Sequence, residues 1–293
     1  MEFWRPVRWA DALEAMAARP DVLPIAGGTD VMVDVNFDRA RPAVLLDLTG
    51  LAELTGWDTV DGRLRVGAGV PYAEIISGLG GVLPGLAHAA RTVGSPQIRN
   101  RGTVGGNLGS ASPAGDAHPP LLADGALVEL ASVRGTRLVP AAEYFTGPKR
   151  SVRAADELVA AIHMPPADGP RRFAKVGTRN AMVIAVCAFA LALRPESRTV
   201  GTGIGSAGPV PLRAPEAEAF LAAELEAGGG WAHGRAPSPA VVARFGELVA
   251  AAAAPIDDVR GTAAYRRHAL SVLARRTFAW AWREYREGGA ACA

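Results

Sequence analysis

One stretch decides the fold of this 293-residue sequence: Val93-Gly-Ser-Pro-Gln-Ile-Arg-Asn-Arg-Gly-Thr-Val-Gly-Gly-Asn-Leu-Gly-Ser-Ala-Ser-Pro-Ala-Gly-Asp116. It has little hydrophobic periodicity, so we predict a long loop, and a loop of this length inside a compact domain usually serves a function. Its glycines expose backbone amides, and its neutral polar groups and one carboxylate suit phosphate or ribitol: Thr103, Asn107, Ser110, Ser112 and Asp116. Arg99 and Arg101 are equally well explained as phosphate partners and as surface residues that are solvated or paired with a neighbouring subunit. The stretch therefore predicts a site for a large polyhydroxylated cofactor.

A second glycine-rich turn, Ile25-Ala-Gly-Gly-Thr-Asp30, lies nearer the start of the sequence. It follows a predicted strand and precedes a predicted helix, so free amides at the helix start can point at a phosphate. Gly27 and Gly28 have no β-carbon, which lets the main chain approach an anion closely. The turn fits a nucleotide pyrophosphate, although a lone turn of this kind is more often an ordinary connection. It matches neither the G-x-G-x-x-G fingerprint nor the Walker loop.

The rest of the sequence predicts alternating helices and strands in two parts. A capping box at Asp11–Glu14 predicts the start of a first helix, and the apolar run 43–48 predicts a strand, which together give a small βαβ unit. The cluster Pro165–Pro170 breaks both helix and strand and is the best domain boundary. Beyond it we predict a buried element over 181–193, a turn-rich segment over 201–211 and a closing helix from about Asp257 to Tyr285.

Composition and charge exclude several classes of function. The formal charge of +2 is too small to drive binding to nucleic acid or to a membrane surface. Two cysteines, Cys187 and Cys292, cannot hold an iron–sulfur cluster or a zinc ion of their own. The sequence shows no apolar targeting core at its start, and its longest apolar run is too short to span a bilayer. We therefore expect a cytoplasmic protein with reduced thiols and no bound metal.

Three separated motifs resemble one known family. The motifs are Ala26–Asp30, the stretch Gly94–Asn107 with Ser112–Asp116, and the late Ile256-Asp-Asp-Val-Arg-Gly-Thr-Ala-Ala-Tyr-Arg-Arg267. Together they resemble the FAD-binding medium subunit of molybdenum hydroxylases. The resemblance covers essentially the whole chain with the motifs in the right order. Among members, the sequence is most similar to the FAD subunits of bacterial xanthine dehydrogenases.

The resemblance implies an α+β fold in two domains. Residues 1–168 would form an FAD-binding domain of the vanillyl-alcohol-oxidase (PCMH) type, with subdomains of about 1–55 and 56–168. Residues 171–288 would form a smaller α+β domain like the C-terminal domain of carbon monoxide dehydrogenase flavoproteins.

The resemblance also implies the residues of a non-covalent FAD site. Residues Ile25, Ala26, Gly27, Gly28, Thr29, Asp30 and Val31 would wrap the pyrophosphate, and Thr103, Gly106, Asn107, Ser110 and Asp116 would complete the site. Val93, Gly94 and Ile98 would lie near the flavin ring, and Lys175 would steady negative charge on the reduced ring. The matched FAD motifs contain no His or Cys for a covalent flavin link, and we interpret the nearby His88 and His118 as structural residues or as supports for the residues that contact the cofactor.

The implied function is electron transfer and not substrate hydroxylation. A molybdopterin large subunit would hydroxylate a purine, an iron–sulfur small subunit with two 2Fe–2S clusters would carry the electrons, and FAD on this chain would pass them to NAD. The likeness leaves carbon monoxide, aldehydes and N-heterocycles open as substrates, and quinone or oxygen as acceptors. A free-standing flavin oxidase and a non-enzymatic assembly subunit with a decayed flavin site are the rival classes.

Overall fold

The computed structural model describes residues 1–290, so Cys292 lies outside the described part. The chain starts with a small parallel sheet of three strands in the order β1-β3-β2. Its elements are β1 (Glu2–Trp4), α1 (Trp9–Ala18), β2 (Val22–Ile25), α2 (Val31–Asn36) and β3 (Val44–Asp47). The glycine-rich turn 26–30 therefore connects the carboxyl end of β2 to α2, as the βαβ prediction required.

A five-stranded antiparallel sheet follows, in the order β4-β5-β10-β6-β7. Its strands are β4 (Trp57–Val60), β5 (Arg63–Gly67), β6 (Leu127–Ser132), β7 (Gly135–Pro140) and β10 (Leu158–Met164), and β8 (Phe145–Gly147) with β9 (Arg150–Ser151) forms a separate hairpin. The helices between them are α3 (Tyr72–Gly78), α4 (Pro84–Thr92), α5 (Pro96–Arg99), α6 (Val104–Ser110), α7 (His118–Asp124) and α8 (Ala141–Tyr144). One hydrophobic core, drawn from residues between Ala12 and Met164, joins both sheets.

The remaining chain forms a three-stranded antiparallel sheet covered by helices. Its strands lie in the order β11 (Arg171–Val176), β12 (Cys187–Arg194) and β13 (Thr199–Gly205). The helices are α9 (Pro215–Ala227), α10 (Gly230–His233), α11 (Pro239–Ala252) and α12 (Ala263–Ala290). A second core packs the larger side chains of β12, such as Phe189, against α11 and α12. The chain is thus a mixed α+β structure, as expected.

The opposite face of this sheet packs on the first half of the chain through small residues. Ala188, Ala190 and Ala192 of β12 lie with Phe173 in a cluster that includes Ala89 of α4 and Ala123 of α7. A β-carbon added at Gly203 would lie 2.0 Å from the carbonyl oxygen of Pro119, and one at Gly201 would lie 2.1 Å from that of Ala123. The backbone of β13 therefore packs directly on the backbone of α7.

This close packing corrects the prediction for residues 201–211. The glycines led us to predict turns, yet Thr199–Gly205 is a regular strand. Gly201, Gly203 and Gly205 alternate along it, so all three lie on the face that α7 covers. At these positions glycine lets the backbone of α7 pack closely, while the backbone of β13 itself stays extended.

Three other boundaries also differ from the prediction. Residues 93–116 contain the short helices α5 and α6, because Ser95 and Thr103 cap them through side-chain oxygens that accept hydrogen bonds from Ile98 N and Gly106 N. The first helix begins at Trp9, and Asp11 pairs with Arg8 instead of capping it. The closing helix begins at Ala263, because residues 257–262 form a turn before it.

Candidate cofactor site

The two glycine-rich segments meet in the structure. A β-carbon added at Gly27 would lie 2.0 Å from the carbonyl oxygen of Arg101, so the two main chains are in direct contact. The hydroxyl of Ser110, at the end of α6, donates a hydrogen bond to the carboxylate of Asp30 at the start of α2. Segments about 75 residues apart in sequence therefore form one site, and any side chain at Gly27 would separate them.

The segment around α5 is held by its own hydrogen bonds. Arg99 donates from Nη1 to the carbonyl oxygens of Val93 and Gly94, at 3.0 and 3.1 Å. Gly94 has a φ of +42°, and a β-carbon there would lie 2.7 Å from Cγ2 of Ile98. Val93, Gly94 and Ile98 therefore form a tight turn, and Arg99 is occupied in stabilising it.

Helix α6 has one face packed on the sheet and one face open. A β-carbon at Gly105 would lie 2.5 Å from the carbonyl oxygen of Ala68, so this glycine is needed for packing. A β-carbon at Gly106 would meet, within 4 Å and among residues 1–290, the hydroxyl of Thr103 at 3.3 Å. Gly106, Asn107 and Ser110 lie on the same side of the helix, beside the turn that carries Asp30. The open side of α6 therefore faces the first glycine-rich turn.

A buried ion pair closes the opposite end of the site. Lys175 of β11 donates from Nζ to Oδ2 of Asp116 at 2.5 Å and to the carbonyl oxygen of Thr92 at 3.2 Å. Both charged side chains are less than a tenth exposed. Burial raises the pKa of Asp116, and the charge of Lys175 opposes that rise. The resemblance assigned both residues to the cofactor, and they are in direct contact.

His118 lies beneath these segments at the first position of α7. Its Nε2 is 3.2 Å from the carbonyl oxygen of Asn107, and its ring packs against Phe145. Burial lowers the pKa of His118 to about 4, so the imidazole is neutral at pH 7. The structure is compatible with a structural role for His118, since it supports the backbone of α6 from below.

Buried polar atoms without hydrogen-bond partners cluster in this region. Within the described chain, Oδ1 of Asn107, Oδ1 of Asp116, Nδ1 of His118 and the hydroxyl of Tyr72 have none. Native proteins satisfy nearly all such atoms, so a group of them calls for an explanation. Two of the four are acceptors on predicted cofactor residues, and hydroxyl groups of a ribityl chain are suitable donors. The residues present therefore fit a polyhydroxylated dinucleotide such as FAD.

Sequence reasoning missed Tyr72, the first residue of α3. Its side chain is 2% exposed, and its backbone amide donates to the carbonyl oxygen of Gly102 at 3.0 Å. A tyrosine at the start of a helix looks like an ordinary core residue, so the sequence carries no signal for it. No group of three or more His, Cys, Asp or Glu residues within 1–290 could hold a metal ion. Across the same residues, no helix combines the length and apolarity that a membrane crossing requires.

Comparison with known proteins identifies the family. The model of the FAD-binding domain in molybdopterin dehydrogenase matches residues 1–167, and that of the CO dehydrogenase flavoprotein C-terminal domain matches residues 172–281.

Named relatives have several different activities. The xanthine dehydrogenase FAD-binding subunit of Escherichia coli O157:H7 is 34% identical over 74% of this chain and 77% of its own length. The nicotine 6-hydroxylase medium subunit of Paenarthrobacter nicotinovorans is 31% identical over 93% of this chain and 94% of its own. A solved structure of carbon monoxide dehydrogenase from Hydrogenophaga pseudoflava superposes with a TM-score of 0.87 at 26% identity, covering 97% of this chain and 98% of the other.

The family models together match most of the chain, and the solved structure has the same fold over nearly its whole length. Both expectations from the sequence, the family and the α+β fold with an FAD-binding and a C-terminal domain, are confirmed. FAD is the cofactor of the matched domain, while the molybdopterin and iron–sulfur cofactors of the family are carried by other subunits. This chain belongs to the FAD-binding medium subunits of the molybdenum hydroxylase family.

Proposed function

We propose that this chain is the FAD-carrying electron-transfer subunit of a xanthine dehydrogenase. In this proposal a large partner subunit hydroxylates xanthine at molybdopterin, and a small partner subunit carries the electrons through 2Fe–2S clusters. The electrons then leave this chain, through FAD, for NAD. The assembly is a hetero-oligomer in the cytoplasm, where the buried free thiol of Cys187 stays reduced.

The observation that carries the proposal is the junction between the two glycine-rich segments. Contact between the backbones of Gly27 and Arg101, and the hydrogen bond from Ser110 to Asp30, bring exposed amides and unpartnered oxygens to one place. Exposed amides are suited to a diphosphate, and carboxylate or amide oxygens are suited to hydroxyl groups. A dinucleotide cofactor needs both.

Each predicted site residue has a part in this assignment. Residues 25–31 bind the pyrophosphate, because the turn offers free amides and Gly27 and Gly28 carry no side chain. Thr103 holds the start of α6, where Gly106 leaves room and Asn107, Ser110 and Asp116 offer polar groups. Val93, Gly94 and Ile98 form the turn nearest the flavin ring. The chain divides into an FAD-binding domain of residues 1–168, with subdomains of about 1–55 and 56–168, and a C-terminal domain of residues 171–288.

Lys175 gives the site its positive charge. FAD, when bound, supplies the exchange of single electrons and a hydride, so the chain needs only to bind it, orient it and adjust its potential. Lys175 is buried and donates hydrogen bonds to Asp116 and to the carbonyl oxygen of Thr92, which fixes its Nζ at the end of the site. A fixed positive charge there stabilises a more negative, reduced flavin.

The names of the relatives support xanthine over the alternatives by a small margin. Two relatives that are 34% and 33% identical are described as FAD-binding subunits of xanthine dehydrogenase, the second as a putative one, and a relative described as a nicotinate dehydrogenase FAD-subunit is also 33% identical. Other relatives are described as subunits of nicotine 6-hydroxylase and of glyceraldehyde and carbon monoxide dehydrogenases, at 28–31% identity. N-heterocycles are therefore the favoured substrate class, and xanthine the favoured member.

Purification of the native complex with its partner subunits tests the substrate and the acceptor. We expect xanthine to reduce the flavin and NAD to reoxidise it, with formation of NADH. Carbon monoxide, glyceraldehyde and nicotinate serve as competing substrates, and quinone and oxygen as competing acceptors. Faster flavin reduction by any of these substrates would contradict xanthine, and reoxidation without NAD would contradict NAD. Turnover of a small alcohol or amine by the isolated chain would indicate a free-standing oxidase.

A glycine substitution tests the cofactor site separately. Gly106→Leu is expected to yield folded protein without FAD, because the new side chain would occupy the open side of α6. Gly81→Leu is the matched control, since a β-carbon there meets no described atom within 4 Å and Gly81 lies outside both segments. Gly27→Leu is less informative, because it would separate the two segments whether or not FAD binds. Full flavin content in purified Gly106→Leu would contradict the assignment.

A further inference from the structure

Tyr72 combines complete burial with an unused hydroxyl group. The side chain is 2% exposed, and its hydroxyl has no hydrogen-bond partner within the described chain. Buried tyrosine hydroxyls usually have a partner, because leaving one unpaired costs more than a hydrogen bond gains. Tyr144, in the same core, shows the ordinary case, since its hydroxyl donates to the carbonyl oxygen of Leu108 at 3.2 Å. The free hydroxyl of Tyr72 therefore needs an explanation that packing does not supply.

The backbone around Tyr72 fixes it against both glycine-rich segments. Pro71 pairs with Thr103 in an isolated β-bridge, and the amide of Tyr72 donates to the carbonyl oxygen of Gly102. A β-carbon at Gly102 would lie 3.5 Å from Cδ2 of Tyr72 and 3.7 Å from the hydroxyl oxygen of Thr29. The ring therefore lies beside the point where the segments meet, on the side of the first turn.

The electrostatic surroundings of Tyr72 come from the same two segments. Burial and the charges of Asp116 and Asp30 raise the pKa of Tyr72 well above its usual value of 10. The phenol therefore stays protonated at any physiological pH and keeps a hydrogen to donate. Unpartnered acceptor oxygens of Asn107 and Asp116 lie in the same region. A hydroxyl-rich chain can donate to these acceptors while accepting from a phenol.

Resting on the FAD site proposed above, the geometry points to Tyr72 as a further cofactor-binding residue, whose hydroxyl donates a hydrogen bond to an oxygen of bound FAD. The free protein keeps this donor unpaired and loses stability by doing so. FAD supplies the missing acceptor, so a hydrogen bond that the free protein does not make adds to the affinity for the cofactor. Functional sites commonly hold such unsatisfied groups at the expense of stability.

Two matched substitutions test this inference on the chain freed of flavin. Tyr72→Phe is expected to weaken FAD binding about tenfold, measured by quenching of flavin fluorescence. The same variant without FAD is expected to melt at the wild-type temperature or above it, because it loses a hydroxyl that had no partner. Tyr144→Phe should show the reverse, with a lower melting temperature and unchanged FAD affinity, because its hydroxyl is bonded within the protein.

The outcomes separate this inference from the proposed site itself. Wild-type FAD affinity in Tyr72→Phe would overturn the role of Tyr72 and leave the site intact. A melting temperature of the flavin-free Tyr72→Phe variant that falls as far as that of Tyr144→Phe would also overturn it, since the hydroxyl would then have a partner in the free protein. Failure of the wild-type chain to bind FAD would instead overturn the site on which the inference rests.

Discussion

The two ends of strand β11 present the same face to the first half of the chain but differ in how their charges are satisfied. We call the end at Arg171 the closed end and the end at Lys175 the cofactor end. At the closed end, Arg171 donates from Nε to Asp124 and from Nη2 to Asp168, both at 2.7 Å. Its Nη1 donates to two further carbonyl oxygens, those of Gly169 and Leu193. The guanidinium is thus bonded on every nitrogen and is 2% exposed.

The cofactor end has the same burial and fewer bonds. Lys175 has two acceptors, Asp116 and the carbonyl oxygen of Thr92, and the second oxygen of Asp116 has no partner among residues 1–290. Helix α7 spans both ends, with His118 at the cofactor end and Asp124 at the closed end. The comparison teaches that the ion-pair network at the closed end uses all its donors to join segments of the protein, while the network at the cofactor end keeps an acceptor oxygen for the proposed cofactor.

The largest expected effect comes from breaking the closed end. Arg171→Met leaves the buried carboxylate of Asp124 without its cation and should lower the free energy of unfolding by about 3–5 kcal/mol. FAD affinity of the folded fraction should stay within about twofold, because no atom of this network belongs to the proposed site. Chemical denaturation and flavin titration measure the two effects.

Arg172→Met is the control on the same strand. Arg172 lies on the opposite face and pairs with Glu284, and both side chains are about a third or more exposed. Exposed pairs contribute about 0–1 kcal/mol, so this variant should unfold much like the wild type. Equal losses of stability in the two variants would contradict the distinction between buried and exposed pairs on β11.

A smaller loss of stability and a larger effect on the flavin are expected at the cofactor end. Lys175→Met removes two hydrogen bonds and leaves the buried carboxylate of Asp116 with the hydroxyl of Thr92 as its donor, so it should cost about 3 kcal/mol of folding free energy. FAD should stay bound, but stopped-flow measurements should show slower reduction or reoxidation of the flavin, because the positive charge is gone. Arg172→Met again serves as control. Unchanged flavin kinetics in Lys175→Met would remove Lys175 from the site.

The smallest expected effect concerns pH and His118. The folded state lowers the pKa of this imidazole from 6.5 to about 4, so on acidification the unfolded chain binds a proton before the folded one does. Stability is therefore fully present above pH 6.5 and is lost as the pH falls toward 4. Between pH 7.5 and 5 the loss amounts to about 2 kcal/mol.

Substitution of His118 isolates this contribution from other titrating groups. His118→Gln keeps a side-chain amide at the position of Nε2 as donor for the carbonyl oxygen of Asn107, but it does not titrate. The stability difference between wild type and variant should shrink by about 2 kcal/mol from pH 7.5 to 5, measured by urea denaturation. Curves that fall in parallel would show that His118 is not held neutral in the folded state.

The sequence predicted those features that depend on local chemistry or on family resemblance. The order of β2, the turn 26–30 and α2 follows from an apolar run, two glycines and an apolar period. Family and cofactor followed from three motifs that lie in the right order.

The features that the sequence did not predict depend on contacts between distant segments. Gly201 and Gly203 look like turn residues unless the backbone of α7 beside them is known. Tyr72 looks like a core residue until its hydroxyl is found to have no partner in the described part of the chain. Arg171 directly follows the predicted boundary Pro165–Pro170, and only its four acceptors, from three separate segments, show that it joins them.

A crystal structure of the chain with bound FAD tests the central claim most directly. We predict the diphosphate against the backbone of residues 26–30 and the open side of α6, with Asn107 and Asp116 bonded through the oxygens that have no partner among residues 1–290. FAD bound elsewhere, or these two segments separated from each other in the complex, would contradict it.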